Sequence, residues 1–391
     1  MPGGMAERLK AAVLKTVSAG RYSGVRIPLP PPIRSPRSLL FHTGAREISG
    51  RARFLEMRYF FVALWSRQTE AVLQDNVRLT NLRLTNLGEA VDTAARKFAE
   101  ISSAEFDGPF KSIFVAPEYL FTTERSEADN TPRALTTDQV KGIAKELKEI
   151  SRAHMGMLML PGSVIYQHAI EKQTGGKTAA VSAVQTYQSS LNPDGAKGLV
   201  KTARQNLVNR NDDASPALKL QQLSQANNIT HVVKNRLYVL LDANVVAKYG
   251  KKADKNEVMG PRTALFIPGQ DTGLPEIGGI RFGFEICFDH ELGVLKAMSN
   301  DAKVDIHIVI SAWTTNNVSN MQLRSRGYFL HASSAAIHTA VYFKPARGLA
   351  QPVTQETINT LNDLNGKAIA MPDVNCAGGI LRCYKLPYFP P

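Results

Sequence analysis

The sequence has few cysteines and no motif built from them. Its 391 residues include three, at positions 287, 376 and 383, and these form neither a CxxC pair nor a His/Cys cluster with zinc-ligand spacing. This spacing argues against a disulfide scaffold or a zinc module, and it indicates a reducing compartment. The eight histidines form no pattern that predicts a site.

Long apolar runs are also missing. No stretch approaches the roughly 18 apolar residues that a membrane helix needs, and the N-terminus lacks the continuous apolar core of a signal peptide. We therefore expect a soluble, cytoplasmic protein that does not enter a membrane. A phosphate-binding loop is lacking too, because Glu171 stands where TGGKT at 174–178 would require the first glycine of that motif.

The formal net charge of +13 is concentrated near the N-terminus. Residues 1–60 contain eleven Lys or Arg and three Glu, which describes a basic tail better than a basic binding face, so nucleic acid is not the expected partner. Residues 6–17 have helical apolar spacing and precede a Pro-rich stretch at 26–38. We interpret residues 1–56 as an N-terminal extension: a targeting or translocation leader, a partner-binding arm, or a tail without a role.

Alternating strand and helix patterns begin at residue 58. RYFFVALW predicts a strand, 86–104 an amphipathic helix, and SIFVAPE at 112–118 a strand that ends on an acid. A helix over 137–153, opened by the cap-like Thr136, and a strand in MGMLMLPGSV continue the alternation. This order predicts an α/β layer architecture.

Residues 166–230 break this pattern because they are rich in Gln, Asn, Ser, Lys and Gly. We interpret them as an insertion or lid with short helical pieces such as 214–225. The strand pattern resumes with a hairpin over 235–248, which turns around Asp242. Further strands are predicted at 262–267, 280–287, 304–311 and 339–344.

The segment FGFEICFDHELG, residues 282–293, places Cys287 at the end of a predicted strand. The four apolar residues at even positions from Ile280 to Ile286 share one face of this strand, whereas Glu285 and Cys287 share the other. The chain then turns toward a helix-like segment, whose positive end favours a thiolate. Cys287 is therefore a candidate nucleophile. The alternative is a buried small apolar side chain.

Two other segments place polar groups after strands. VAPEYLF delivers Glu118 at the end of an apolar strand, where a half-desolvated carboxylate has a raised pKa and can act as a base; the alternative is a solvated loop acid. NVVAKYGKKADKNE at 244–257 supplies four lysines, which otherwise form only a charged turn. A base, a thiol and a cation at three strand ends suit attack on a carbon–nitrogen bond.

These motifs resemble those of the nitrilase superfamily, the carbon–nitrogen hydrolases. PE after a strand, KYxK after a hairpin and ICFD after a glycine-containing strand follow the family's order within residues 57–345. Asn86 at a helix start, LPGS at 160–163 and VISAW at 309–313 support the same registration.

The resemblance implies a four-layer α-β-β-α sandwich that forms a homodimer through helices and requires neither a metal nor an organic cofactor. Residues 57–345 would form the carbon–nitrogen hydrolase domain. Residues 346–391 would form a C-terminal extension that packs on the domain or on a partner subunit. Cys376 and Cys383 would then be structural residues in C-terminal strands.

By this resemblance Glu118 is the general base, Cys287 the nucleophile and Lys251 the lysine that stabilises an oxyanion. Lys251 is favoured because it follows the tyrosine of KYGK by two residues, and Lys252 is its rival since a shift of one residue decides between them. Glu257 resembles an additional glutamate of the family, or it pairs with a nearby lysine.

Three further positions flank this set. The backbone N–H of Phe288 would complete an oxyanion hole, and Trp313 would line the pocket unless it belongs to the core. Glu285 either binds a basic or amine-bearing substrate or pairs with a lysine or arginine. A dyad of Cys287 with His290 is disfavoured, because the start of a helix would turn His290 away.

One part of the family pattern has no direct equivalent. The Arg-Ala-Ile-Glu-Asn-like run that the family often has after this tryptophan could correspond to SRGYFLH from 325 or to AAIHTAVYF from 335, but neither contains the glutamate.

The implied reaction is hydrolysis of a non-peptide carbon–nitrogen bond, in an amide or a nitrile, through a thioester on Cys287. Two alternatives remain open at this point. One is an acyl transferase of the same superfamily. The other is a non-catalytic or translocated effector or scaffold that binds a protein partner through its N-terminal arm.

Overall fold

The computed structural model describes residues 59–68, 76–101, 109–122, 134–169, 231–253, 264–266, 268–269, 271–299, 302–365 and 368–389. The predicted N-terminal extension, the short helix at 214–225 and Glu257 lie outside these residues. The predicted insertion also lies outside them, except that residues 166–169 continue a strand of the sheet.

Two β-sheets form the centre of the described structure. The larger has ten strands: β1 (Tyr59–Ser66), β2 (Ser112–Val115), β3 (Met157–Leu160), β4 (Ser163–Ala169), β5 (His231–Leu241), β6 (Asn244–Gly250), β7 (Ala264–Phe266), β14 (Ile369–Ala370), β15 (Val374–Cys376) and β16 (Gly379–Pro387). The smaller has six: β8 (Glu276–Ile277), β9 (Ile280–Ile286), β10 (Val304–Ser311), β11 (Leu323–Ser333), β12 (Ala340–Phe343) and β13 (Gln351–Pro352).

The two sheets differ in topology. The main path of the larger sheet is β14-β16-β1-β2-β3-β5-β4, with β6 and β7 paired to β5 and β15 paired to β16. The smaller sheet runs β13-β12-β11-β10-β9-β8, and its centre, β11-β10-β9, is parallel. The carboxyl ends of β9 and β10 therefore lie side by side.

Five α-helices accompany these sheets in the described residues. They are α1 (Asn76–Ile101), α2 (Thr137–Ala153), α3 (Phe288–Leu292), α4 (Val294–Met298) and α5 (Gln355–Asn365). Two short 3₁₀ helices, Val318–Asn320 and Ala336–His338, lie in the loops on either side of β11.

The sheets pack face to face through side chains of one parity. Phe60 and Leu64 of β1 belong to the same buried apolar cluster as Phe282 and Phe284 of β9. Residues of β1 with the opposite parity pack against α1 and α2. On the far side of the smaller sheet, Glu285 of β9 contacts α3 and α4. The predicted four-layer α-β-β-α arrangement is confirmed, with two five-residue helices against β9 in the fourth layer.

Helix α1 begins at Asn76, so the prediction that it starts at Asn86 is wrong. The early turns contain Arg83, which is 3% exposed and donates hydrogen bonds to the backbone carbonyls of Leu120 and Thr122. An arginine on the inward face interrupts the apolar stripe on which the prediction relied. Its guanidinium is nevertheless satisfied, because it crosslinks α1 to the loop after β2.

Helix α2 begins where the sequence predicts. Thr136 accepts a hydrogen bond from the backbone N–H of Gln139, and the side chain of Gln139 accepts one from the backbone N–H of Thr136. This reciprocal pair satisfies two N–H groups that the first turn leaves without helical partners.

The segment MGMLMLPGSV forms two strands, β3 and β4, rather than the single strand predicted. The strand is interrupted by a turn at Gly162, whose φ is 86°. A Cβ at this position would run into the carbonyl oxygen of Pro117 and the side chain of Leu120. The β3–β4 turn therefore packs directly against the segment that carries Glu118.

The predicted hairpin is formed by β5 and β6. Asp242 and Ala243 have φ angles of 51° and 65°, as a two-residue turn between twisted strands requires. Strand β5 begins at His231, four residues earlier than predicted, and its first three residues pair with both β4 and β7.

The stretch after Trp313 departs from the expected pattern. SRGYFLH lies within strand β11, parallel to β10, and AAIHTAVYF contains a 3₁₀ helix followed by β12. Residues 327–333 are buried on both faces, and they include the polar residues His331 and Ser333.

Residues after 345 contribute to the larger sheet. Strand β16 pairs antiparallel with β1 from Tyr59↔Pro387 to Ser66↔Ile380, and its Cys383 is buried. Within the described part of the chain, no helix has the length and apolarity needed to span a membrane.

Candidate active site

Strand β9 ends in a sharp turn that carries Cys287. The φ and ψ angles of Cys287 are 52° and −108°, an uncommon conformation for a residue with a side chain, and α3 begins at the next residue. Its backbone N–H is held at 2.8 Å from the carbonyl oxygen of Ile310 in β10. The turn presents the thiol at the edge of the sheet, where Cys287 is half-buried.

Glu118 lies just beyond the carboxyl end of β2 and is fully buried. Its Oε1 accepts hydrogen bonds from Lys251 Nζ at 2.8 Å and from Asn235 Nδ2 at 3.1 Å. Its Oε2 accepts one at 3.3 Å from the backbone N–H of Ala312, which comes directly after β10. The carboxylate therefore joins both sheets at one point.

The two candidate lysines diverge after β6. Lys251 is 0% exposed, and its backbone N–H donates to the carbonyl oxygen of Asn235 at 2.9 Å, which directs its ammonium to Glu118. The ammonium of Lys252 lies 3.3 Å from Asp271 Oδ1 and 5.0 Å from the ring centre of Tyr249. Lys251 is thus the lysine that reaches the buried carboxylate.

The electrostatic surroundings of Cys287 keep its sulfur protonated in the free protein. Burial, together with the charge and a hydrogen bond of Glu118, raises the pKa of the Cys287 thiol to about 12, although Lys251 and a hydrogen bond from Thr314 lower it. The Thr314 bond is 3.1 Å long. A protonated thiol next to a carboxylate–ammonium pair is poised to transfer its proton when an electrophile is bound.

Two flanking residues differ in exposure. The side chain of Phe288 is 1% exposed and packs with Leu292 and Val294, while its backbone lies directly after the nucleophile candidate. Trp313 is 58% exposed. The alternative in which Trp313 belongs to the core is therefore wrong.

Glu285 pairs with histidines, so the predicted pairing with lysine or arginine is wrong. Its Oε2 lies 2.7 Å from His290 Nδ1 and 3.0 Å from His307 Nε2, and its Oε1 accepts the backbone N–H of Leu295 at 2.7 Å. Burial raises the pKa of Glu285, but the bonds and charges of the two histidines outweigh it and hold the pKa at about 2. Glu285 also lies on the outer face of β9 with no exposed surface, so it is not placed to bind a substrate.

His290 is occupied by this network. Its Nδ1 faces Glu285, and its buried Nε2 has no hydrogen-bond partner, so the disfavoured dyad with Cys287 is not formed.

The same three side chains are close enough together to hold a metal ion, since their ligand atoms lie within 4.8 Å of one another. The hydrogen bonds argue against it. The backbone N–H of Gln322 donates to His307 Nδ1 at 3.3 Å, so the proton of a neutral His307 sits on Nε2, where it points at Glu285. A metal-binding histidine instead keeps its lone pair for the metal and donates from its other nitrogen. We therefore interpret the group as a hydrogen-bonded network.

Asp289 was not identified from the sequence, although it stands two residues after Cys287. Its carboxylate accepts hydrogen bonds from the hydroxyl of Tyr249 at 2.8 Å and from the backbone N–H groups of Lys252, at 3.1 Å, and Ala253, at 2.7 Å. These bonds connect the turn carrying the thiol to the segment carrying Lys251. Burial raises the pKa of Asp289 to about 7 despite the opposing effects of Lys251 and these hydrogen bonds.

Asn235 was also missed. It has the same parity in β5 as the buried apolar residues Leu237 and Val239, and it is 1% exposed. An amide at an apolar position of a strand is the signal that could have identified it, because buried polar groups require partners. Its partner is Glu118.

No protein-family model matches the chain, and no curated protein matches it. Similar solved structures include a cysteine-to-alanine mutant of the amidase from Nesterenkonia sp. AN1 in complex with butyramide, with 12% identity and a TM-score of 0.42, covering 85% of this chain and 92% of that chain. Nit3 of Saccharomyces cerevisiae has 13% identity and a TM-score of 0.40, covering 84% and 90%.

Both proteins are described as members of the nitrilase superfamily, the family that the sequence motifs resemble. At such identities and TM-scores the likeness carries no weight for the reaction. The chemistry of the site must therefore be inferred from the side chains of this protein.

Proposed function

We propose that the protein hydrolyses a non-peptide carbon–nitrogen bond, in an amide or a nitrile, through a covalent intermediate on Cys287. The observation that carries this proposal is the convergence of three groups from separate strands. The Glu118 carboxylate accepts a hydrogen bond from the Lys251 ammonium at 2.8 Å, and both charges act on the half-buried thiol of Cys287.

For an amide, the first half-reaction forms the thioester. Glu118 takes the proton of Cys287 as the sulfur attacks the carbonyl carbon, and negative charge moves to the carbonyl oxygen. Lys251 and the backbone N–H of Phe288 stabilise that oxygen. The carbon–nitrogen bond then breaks, and the proton on Glu118 leaves with the ammonia or amine.

The second half-reaction releases the acid. Glu118 removes a proton from a water molecule, whose oxygen attacks the thioester carbon. The carbon–sulfur bond breaks, the proton returns to the sulfur, and a carboxylic acid leaves. Asn235 and Ala312 keep the carboxylate oriented throughout, because each donates a hydrogen bond to a different oxygen of Glu118.

An ammonia-release screen over amides, ureas and nitriles tests the proposal. Wild-type protein and a Cys376→Ala control, in which a buried cysteine outside the site is replaced, should release ammonia from the same compound. Cys287→Ala should release none, and intact-protein mass spectrometry should find the acyl adduct only where Cys287 is present. Turnover that survives in Cys287→Ala would remove the mechanism.

Adding hydroxylamine identifies the acceptor in the second half-reaction. A thioester intermediate yields a hydroxamate at the expense of the acid, with Cys287 required for both products. An acyl adduct that is not hydrolysed by water, but that transfers its acyl group to an amine or alcohol, would indicate an acyl transferase instead.

A further inference from the structure

A hydroxyl group on the loop after β10 touches the sulfur of Cys287. Thr314 Oγ1 lies 3.1 Å from Cys287 Sγ and donates to it, and Thr314 is 2% exposed. Its neighbours Trp313 and Thr315 are both exposed. Within this short loop, Thr314 is thus the residue turned inward onto the thiol.

The loop is held in place at its ends. Ala312 donates its backbone N–H to Glu118, and Asn316 accepts a 2.6 Å hydrogen bond from His331 Nδ1 and donates to the carbonyl oxygen of His338 at 3.0 Å. His331 Nε2 lies 2.7 Å from the hydroxyl of Ser311, the last residue of β10.

The protonation state of His331 is consistent with its hydrogen bonds to Asn316 and Ser311, which hold the loop that carries Thr314. Burial and the neighbouring histidines hold the pKa of His331 well below its usual range, so the ring is neutral. A neutral ring can donate from Nδ1 to Asn316 and accept at Nε2 from Ser311, which satisfies both contacts. The position of the Thr314 hydroxyl is therefore set before any ligand binds.

We propose that Thr314 is a further catalytic residue, whose hydroxyl stabilises the negative charge that forms on Cys287 Sγ when its proton passes to Glu118. This inference rests on Cys287 being the nucleophile of the proposed function. The proton transfer breaks the sulfur–hydrogen bond, leaves the electron pair on sulfur and makes Glu118 neutral.

The chemistry of sulfur explains why this contact acts on the reaction rather than on the resting fold. A thiol sulfur is a weak hydrogen-bond acceptor, whereas a thiolate carries a full charge and accepts strongly. The bond from Thr314 therefore strengthens as the sulfur ionises, and strengthens again when sulfur leaves the thioester. An interaction that is stronger in the charged state accelerates the step instead of only stabilising the protein.

The test measures the reactivity of Cys287 without any amide substrate. Iodoacetamide alkylation, followed by peptide mass spectrometry as a function of pH, reports the ionisation of this thiol while Glu118 and Lys251, the charged groups that face it, are unchanged. The matched pair is Thr314→Ala and Thr314→Ser, which differ only in the hydroxyl. Thr315→Val is the control on an exposed neighbour.

We expect Thr314→Ala to shift the alkylation profile of Cys287 to higher pH and to slow the reaction roughly ten-fold or more at neutral pH, since hydrogen bonds to charged groups are the strong ones. Thr314→Ser should retain most of the wild-type rate, and Thr315→Val should match wild type. Superimposable profiles for Thr314→Ala and wild type, or equal losses for the Ala and Ser variants, would overturn the proposal.

The outcome is separable from that of the proposed function. If no amide or nitrile is ever turned over, the alkylation profiles still decide whether the hydroxyl supports the thiolate. If a substrate is found, Thr314→Ala should lower kcat more than it raises KM, because the contact is made to sulfur and not to the substrate.

Discussion

Lys251 Nζ lies 2.8 Å from Glu118 Oε1, and neither side chain has any exposed surface. Each charge is therefore the main compensation for the other in a region that water does not reach. A buried pair of this kind adds little to stability compared with an apolar pair, but removing one member takes the neighbouring opposite charge away from a group that stays buried. The pair is thus sensitive to substitution, while its value lies in what it does to the adjacent thiol.

Replacing Lys251 by methionine should lower the free energy of unfolding by about 3–5 kcal/mol, because the buried carboxylate of Glu118 would lose its ion-pair partner and keep the hydrogen bonds from Asn235 and Ala312. The matched variant Lys252→Met should cost less, since its partner Asp271 is 30% exposed and can be hydrated. Urea denaturation of the two variants measures the difference. Equal losses would mean that the two lysines are energetically equivalent, contrary to their contacts.

Replacing Glu118 by glutamine should make Cys287 more reactive toward iodoacetamide while abolishing carbon–nitrogen hydrolysis. The charge and hydrogen bond of Glu118 both raise the pKa of the thiol, so their removal lowers that pKa and increases the thiolate fraction at neutral pH. Hydrolysis is lost because no base remains for the water. Glu149→Gln, an exposed acid in α2, is the control. A slower alkylation in Glu118→Gln contradicts the assigned electrostatics.

Glu285→Gln should destabilise the protein at pH 7 by on the order of 3 kcal/mol, since the pKa of this carboxyl is about 2 in the folded state and about 4.5 otherwise. A depressed carboxyl pKa contributes stability above the unfolded value, and this contribution is lost as the pH falls through the folded value. The difference in the free energy of unfolding between wild type and variant should therefore disappear as the pH falls from about 4.5 to about 2. Urea midpoints at pH 7, 5 and 3 follow it, and a gap independent of pH would show that Glu285 is not held as a carboxylate.

Asp289→Ala should loosen the segment that carries Lys251, because Lys252 and Ala253 would lose the acceptor for their backbone N–H groups. We expect faster hydrogen exchange at these two amides and a fall in kcat with little change in KM. Tyr249→Phe removes a single hydrogen bond to Asp289 and should cost only about 1 kcal/mol. Unchanged exchange in Asp289→Ala would show that the link does not hold the lysine segment.

Some secondary-structure elements could be predicted from the sequence, and others could not. The helix over Thr137–Ala153, the hairpin turn at Asp242 and the strand before Cys287 depend on local signals: a capping box, a two-residue turn and the alternation of apolar residues. Such signals can be recognised without knowledge of the fold, since the residues that form each of them are close in sequence. The start of α1 was misplaced because the hydrogen-bond partners of Arg83 belong to a distant loop.

By itself, the sequence determined the layered α/β architecture, since the order of strands and helices can be recognised from the periodicity of the apolar residues. It also placed an acid, a pair of lysines and a thiol at the ends of strands. Only the tertiary structure decided that Lys251 rather than Lys252 meets Glu118, that Glu285 turns to His290 and His307, and that Thr314 touches the sulfur. The physical reason is that a side chain's partner depends on the register and packing of strands far apart in sequence, where a shift of one residue reverses the face on which every group lies.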